Sequence, residues 1–222
     1  MHDDVNRPRR SRGRPALPMD RILGAAVELL DEEGADALSM RSLAQRLESG
    51  TATLYRHFSN RSELVSLVID QILGEIDLDA RALAALPWQQ ACISFAQHMF
   101  DALHRHGNVA PLLIEYTPMG PNALANRERC LAVLLHNGFA PAIAAHAYAT
   151  LARYVLGFAI QLSAATADGA QQDAELSAAF HRLDPSRYPV TVTVADELPV
   201  PLADEFAFGL RLIVAGLERL RE

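Results

Sequence analysis

Residues 38–64, LSMRSLAQRLESGTATLYRHFSNRSEL, constrain the fold more than any other stretch, because two short helices and the bend between them follow from their spacing. Met40, Leu43, Ala44 and Leu47 recur at the three-and-four spacing of one helical face, and Ser39 stands where an N-cap belongs. Gly50 supplies a turn, and Thr51 to Phe58 predicts a second helix of about two turns with Leu54 and Phe58 facing inward. A helix that short is not stable alone. Its neighbours must hold it, and its use lies in what it presents outward.

The outward face carries Thr51, Ala52, Thr53, Tyr55, Arg56 and His57, rich in hydrogen-bonding groups. An Arg can fork onto guanine N7 and O6, and a Thr can bond a base edge or meet a thymine methyl. Tyr hydroxyls and His N–H groups suit phosphate oxygens, which orient a helix without reading sequence. A solvated face on an ordinary bundle is the competing reading of these residues alone.

The flanking stretches favour the nucleic-acid reading. Upstream, Ile22, Ala26, Leu29 and Leu30 make an apolar stripe ending near Gly34, a C-terminal cap. Downstream, Asn60 and Glu63 have capping-box spacing and introduce Leu64, Val65, Val68 and Ile72. RILGAAVELLDEEG, SMRSLAQRL and TLYRHFSNRSELV, in that order and spacing, resemble the TetR family of bacterial transcriptional repressors over residues 19–72. The resemblance implies an all-α fold, with a three-helix helix-turn-helix domain (19–65) joined to a larger helical ligand-binding and dimerisation domain (66–222). It also implies roles for single residues: Arg41, Thr51, Thr53 and Arg56 facing bases, and Ser39, Tyr55, His57 and Arg61 facing phosphates. One departure stands in the turn, where the family usually has Gly and then an apolar residue after the position of Leu47. Here Glu48 and Ser49 precede Gly50.

The net charge of −7 suits a DNA-binding chain only when divided by region. Residues 1–62 hold ten Arg against nine acidic residues, and the remainder holds ten against eighteen. An acidic body behind a locally basic head disfavours indiscriminate coating of DNA or membrane. Every cation is Arg, so each offers a planar fork. Residues 1–18 form a basic arm, RPRRSRGRP at its centre, with too little hydrophobicity and too much charge to fold alone. Within it Arg12-Gly13-Arg14-Pro15 resembles an AT-hook core, whose Arg side chains enter a narrow minor groove; a plain solubilising tail is the other reading. No apolar stretch follows the arginines as in a signal peptide, and no uninterrupted apolar run reaches membrane length. A bacterial cytoplasmic location is expected, and Cys92 and Cys130 are expected as buried thiols.

Beyond residue 77 the pattern stays helical. Segments are predicted from Trp88 to about Arg105, through Leu113 and Tyr116, over 122–136, from Pro141 to about Ala167 and from Asp204 to about Arg221. Four prolines between 183 and 203 surround VTVTV, which alternates like a short strand but is expected as loop. In the last helix Phe206, Leu210, Ile213, Leu217 and Leu220 form a lengthwise seam, with Gly209 and Gly216 seven apart. Ala142, Ala145, Ala149, Ala152 and Ala159 offer the same close approach on the Ala-rich helix. TetR-like proteins pair two such helices across a dimer, and FAFGLRLIVAGL is similar to the tetracycline-repressor-type branch. The resemblance thus places Ala145, Ala149, Ala152, Gly209, Ile213, Gly216 and Leu220 at a homodimer interface; packing within one protomer is the alternative.

The middle helices would enclose a small-molecule pocket drawn from Phe95, His98, Met99, Leu113, Tyr116, Met119, Arg127, Leu134, Tyr154 and Phe158, with His136 a further candidate contact. His104 and His106 are not spaced for one helical face, so no metal site is expected. The tetracycline branch takes its drug with a divalent cation, and no residue pattern here carries that over; no cofactor is expected. With no GxSxG, HExxH, paired CxxC or phosphate loop, no enzyme is expected. The expected function is a dimeric regulator, a repressor released from a palindromic operator by an unidentified small-molecule inducer. The alternative is a ligand-independent architectural DNA-binding protein that uses its Arg-rich arm.

Overall fold

The computed structural model describes residues 17–76, 78–164 and 169–221, and among them it contains α-helices, short 3-10 turns and no strand. The head comprises α1 (Met19–Glu33), α2 (Met40–Arg46), α3 (Thr51–Leu54) and the start of α4 (Arg61–Gly74). Ile22, Leu30, Leu38, Leu43, Leu54, Phe58 and Leu64 are almost wholly removed from water there. Each such side chain contributes about 1.5–3 kcal/mol of burial, which is what holds a four-residue α3 in place. The expected second helix is shorter than Thr51–Phe58, because after Leu54 the chain tightens: Arg56 N–H bonds Thr53 O and His57 N–H bonds Leu54 O.

The caps lie where the sequence places them. Ser39 Oγ accepts from Ser42 N–H at 3.1 Å, and Asn60 Oδ1 accepts from Glu63 N–H at 3.0 Å. Glu63 returns a bond not to Asn60 but to Ser59 N–H, at 2.6 Å, which pulls its pKa down. Gly34, at φ 88°, closes α1 by donating to Leu30 O. The bend between α2 and α3 differs from expectation. Gly50 has φ −83°, open to any residue, and the left-handed position is Glu48 at φ 48°.

α4 runs unbroken through residue 65, where the expected boundary between head and body falls, and the buried side chains form one cluster from Ile22 to Leu217. The body contains α5 (Ala80–Ala85), α6 (Trp88–Arg105), α7 (Leu112–Glu115), α8 (Pro121–His136), α9 (Pro141–Ala164), α10 (Gly169–His181), α11 (Pro189–Thr193) and α12 (Leu202–Glu218). α6 is central and packs on α4, α8, α9 and α12. Phe206 of α12 stacks on Phe100 at 4.3 Å between ring centres and meets Tyr154 and Phe158 of α9, each at 5.4 Å. Cys92 and Cys130 are free and buried, and burial pushes the Cys92 thiol up to about 12.

Two stretches depart from the sequence reading. VTVTV is neither strand nor loop but part of the single-turn α11, with Pro189 in its first turn. α10 occupies residues for which the sequence analysis predicts no element. Pro141–Gln161 of α9 is long and apolar enough to cross a membrane, with mean hydropathy 1.3, yet it is wedged against α6, α8 and α12 and carries Arg153.

Candidate functional site

The head presents one polar face. Tyr55 is 57% exposed, and Arg41, Thr51, Ala52 and Arg56 are exposed beside the half-buried Thr53 and His57, all carried on the buried Leu54 and Phe58. Among the described residues neither Arg41 nor Arg56 makes an ion pair, so both guanidinium groups are available to an outside acceptor. Ser39 is committed to its cap and to Ser42 Oγ at 2.8 Å. Arg61 departs from its expected outward role. Its Nε donates to Leu38 O at 2.8 Å and its Nη2 to Ala35 O at 3.2 Å, fastening α4 to the turn before α2. That inward bond has no signal in the sequence, because it depends on the fold of 35–38. Arg46 likewise turns onto Glu32 of α1. Arg12 and Arg14 lie outside the described residues.

The second feature is a cavity of about 260 Å³ between α4, α6, α8 and α9. Of the expected pocket residues it gathers Phe95, Met99, Leu113 and Arg127. It leaves out His98, which is exposed and bonded to Ser94 O of its own helix, and Tyr116, which closes α7. Leu134 is fully buried core, and Tyr154 and Phe158 belong to the aromatic cluster around Phe206. Met119 is exposed, with its sulfur 3.7 Å from Arg127 Nη1, and His136 bonds its own helix at Ala132 O. Lining residues without a sequence signal come from α4 and the chain just after it (Leu73, Ile76), the 117–118 loop, α8 (Ala123, Asn126) and α9 (Tyr148, Arg153, Leu156).

The expected dimer residues also separate. Ala149 and Ala152 line the cavity, where their small side chains make room. Gly209 faces inward: a Cβ there would sit 2.3 Å from Tyr154 Oη. Ala145, Gly216 and Leu220 are exposed and Ile213 is half-buried. The inward face of α12 is Phe206, Leu210, Val214 and Leu217, and its outward face adds Phe208 (57% exposed) and Leu212 (58%) to Leu220 (52%).

Two joints tie the cavity to the head. Buried Asp70 of α4 accepts from Ala123 N–H (2.9 Å), Asn122 N–H (3.3 Å) and Asn122 Nδ2 (3.1 Å), so it serves as the N-cap of α8 from another helix. At the far end of α6, His106 bridges Asp31 of α1 (2.8 Å) and Glu75 after α4 (3.0 Å), while Asn108 Nδ2 donates to Leu30 O and Asp31 O. Burial works against charge on His106, but bonds to Glu75 and Asp31, and their negative charge, outweigh it and raise its pKa above 6.5. Among the described residues no three His, Cys, Asp or Glu side chains group to hold a metal ion.

The family model described as bacterial regulatory proteins, tetR family, matches residues 22–68, and the one described as tetracyclin repressor-like, C-terminal domain, matches residues 85–221. The chain is 31% identical to the HTH-type transcriptional repressor DrrR1 of Streptomyces coeruleorubidus, over 98% of this chain and 83% of that one. It is 37% identical to an HTH-type transcriptional regulator of Saccharopolyspora erythraea over 67% of this chain, a match spanning 62% of that relative, less than two thirds of its length. Among solved structures it is similar to apo ActR of Streptomyces coelicolor, with a TM-score of 0.82, 31% identity and coverage of 92% and 96% of the two chains. ActR in complex with actinorhodin gives 0.80, with 31% identity and coverage of 91% and 97%.

Proposed function

Because the chain belongs to the TetR family, and is therefore a DNA-binding transcriptional regulator and not an enzyme, we propose that it is a cytoplasmic homodimeric repressor released from a palindromic operator by a small molecule. The polar outer face of α3 carries this reading. A four-residue helix whose Leu54 is fully buried, and which leads into the exposed Tyr55 and Arg56, has no packing use for the outward side chains there. Arg41, Thr51, Thr53 and Arg56 face bases in this reading, while Tyr55 and His57 meet phosphates.

The dimer rests on unsatisfied apolar surface. Only 33% of Pro141–Gln161 is buried within the protomer, although a helix apolar nearly all round belongs in an interior. The exposed Phe208 and Leu212 on α12 and Leu220 just after it need the same cover. A second copy supplies it across a two-fold axis and sets two heads about 34–36 Å apart, one helical turn of DNA. A cavity of about 260 Å³ favours a sensor over a ligand-independent architectural protein, since such a protein has no use for an internal space. ActR, the similar structure, has been solved with actinorhodin bound.

Selection from random duplexes tests the assignment. Recovered sites carry an inverted repeat bound by a dimer, and sites without two-fold symmetry would refute it. On a recovered site Arg41→Ala costs about 1–3 kcal/mol and relaxes specificity, whereas Tyr55→Phe weakens cognate and scrambled duplexes alike.

A further inference from the structure

The cavity is apolar on most of its wall, and the two charged residues that line it are both cationic: Arg127 of α8 and Arg153 of α9. This is unexpected in a body where acidic residues outnumber Arg by eighteen to ten. Among the described residues neither guanidinium meets a carboxylate at ion-pair distance. Arg127 is half-buried and held by long contacts, Nε to Tyr148 Oη at 3.4 Å, Nη2 to Pro118 O at 3.4 Å and Nη1 to Met119 Sδ at 3.7 Å, with its guanidinium over the Tyr148 ring at 5.6 Å. These contacts orient the planar fork and leave its hydrogen-bonding capacity largely unused. A partly desolvated charge without a counterion is costly, and a guanidinium fork is matched in geometry by a carboxylate.

We propose that the cavity takes an organic anion, a flat apolar or aromatic body bearing a carboxylate or ionised phenol, with the anionic group on Arg127. The proposal rests on the ligand-sensing reading above and names the class of ligand. Phe95, Met99, Leu113 and Leu156 provide the apolar walls, and Ala149 and Ala152 leave a smooth face on α9 against which a ring can lie. A volume of about 260 Å³ is just below the usual range for drug-sized ligands. The cavity therefore holds the anionic end of a larger molecule, whose remainder passes the exposed Thr117 and Arg153 at the rim. Asn126 adds no specificity, because Leu73 O and Arg129 already occupy its amide.

The test is calorimetry on the full-length protein with matched acid and amide pairs of increasing size: benzoate and benzamide, 2-naphthoate and 2-naphthamide, anthraquinone-2-carboxylate and its amide. Within at least one pair the acid binds more tightly by about tenfold or more, the scale of one charge-assisted bidentate contact. Arg127→Met, of similar length and uncharged, removes that preference while amide binding persists; Arg127→Lys restores part of it. Ala152→Trp, which fills the cavity, removes binding of both, and thermal unfolding checks that each variant folds. Equal affinity for acid and amide, or a preference that survives Arg127→Met, overturns the ligand class and leaves the sensor reading standing. Absence of acid binding throughout the panel also overturns it. If in addition no neutral compound from a screen releases the operator complex, the ligand-sensing reading falls as well.

Discussion

Gly209→Ala separates the two glycines that sequence spacing groups together. The added methyl would lie 2.3 Å from Tyr154 Oη and 3.0 Å from Cζ, so the tyrosine has to move. That movement breaks the 2.8 Å bond from Tyr154 Oη to Phe206 O, worth about 1 kcal/mol. It also disturbs the rings of Phe158 and Phe206 packed on it, an overpacking cost of about 1–3 kcal/mol. Helix propensity returns about 1 kcal/mol, leaving a net loss of about 1–3 kcal/mol. In a Tyr154→Phe background the clashing oxygen and its bond are already absent, and only the ring-carbon contacts at 3.0 and 3.2 Å remain to relax. There Gly209→Ala is close to neutral. Denaturant unfolding of all four proteins at one protein concentration gives the coupling energy, since dimerisation makes stability concentration-dependent. Additivity within about 0.5 kcal/mol would refute the inward orientation of Gly209. Gly216 makes the contrast: a Cβ there meets nothing within 4 Å of its own protomer, so in the proposed dimer Gly216→Leu would act between the two copies and leave the fold of the protomer unchanged.

The other predictions concern the head and its joints. His106 has a raised pKa in the folded state, so its stabilisation is fully present below 6.5 and is lost as pH rises through the folded value. His106→Gln should therefore lower the melting temperature most under acidic conditions, with the gap closing towards mildly alkaline pH; a pH-independent gap sinks this assignment. Asp70→Ala leaves the first N–H groups of α8 unpaired in a buried site, at a cost of about 2–4 kcal/mol, and Asp70→Asn costs less. An unaltered midpoint for Asp70→Ala would mean that water replaces the carboxylate.

Where a feature depends on neighbours in the chain, it is legible in the sequence. The bounds of α6, set by Pro87 and by the break after Arg105, follow from local chemistry, and so do the caps at Ser39, Asn60 and Gly34. VTVTV is expected as loop because prolines surround it, but a proline disrupts a helix in its interior and not in its first turn. Val190 is 78% exposed, and Pro189 in the first turn suits a single helical turn instead. The phase of α12 slipped for a different reason. Its apolar residues nearly encircle it, so Ile213 and Leu220 fit a seam as well as Val214 does, and only the packed partners Phe100 and Tyr154 decide. The cavity was half visible. Phe95, Met99, Leu113 and Arg127 have the right chemistry, but what distinguishes a lining residue from core is an absence of neighbours, which no spacing records. Ala149 and Ala152 look like a helix-packing stripe for that reason, and they serve to leave room.

In the proposed reading of a ligand-released repressor, the joints determine what a ligand would have to do to free the operator. α4 has 14 residues, a rod of about 21 Å. Its first turns bury Leu64 and Val65 in the head, its middle holds the N-terminus of α8 through Asp70, and Leu73 near its end lines the cavity. A molecule lodged against Arg127 therefore bears on α8 about one turn from Ala123, whose N–H Asp70 accepts, and on α4 directly through Leu73. The His106 bridge holds the opposite side, with α1 and α4 pinned to the end of α6. A helix held at both sides moves by changing partners, which gives two discrete arrangements instead of a continuous drift. Taking the head from almost wholly competent to almost wholly released requires about 5.5 kcal/mol of preference for the released state. That preference has to come from the ligand's own contacts, because exchanging the three hydrogen bonds at Asp70 and the two at His106 for other partners is close to neutral. A ligand that filled the cavity while leaving α4 and α8 in register would bind as tightly as its contacts allow and induce nothing, because equal affinity for both states shifts neither.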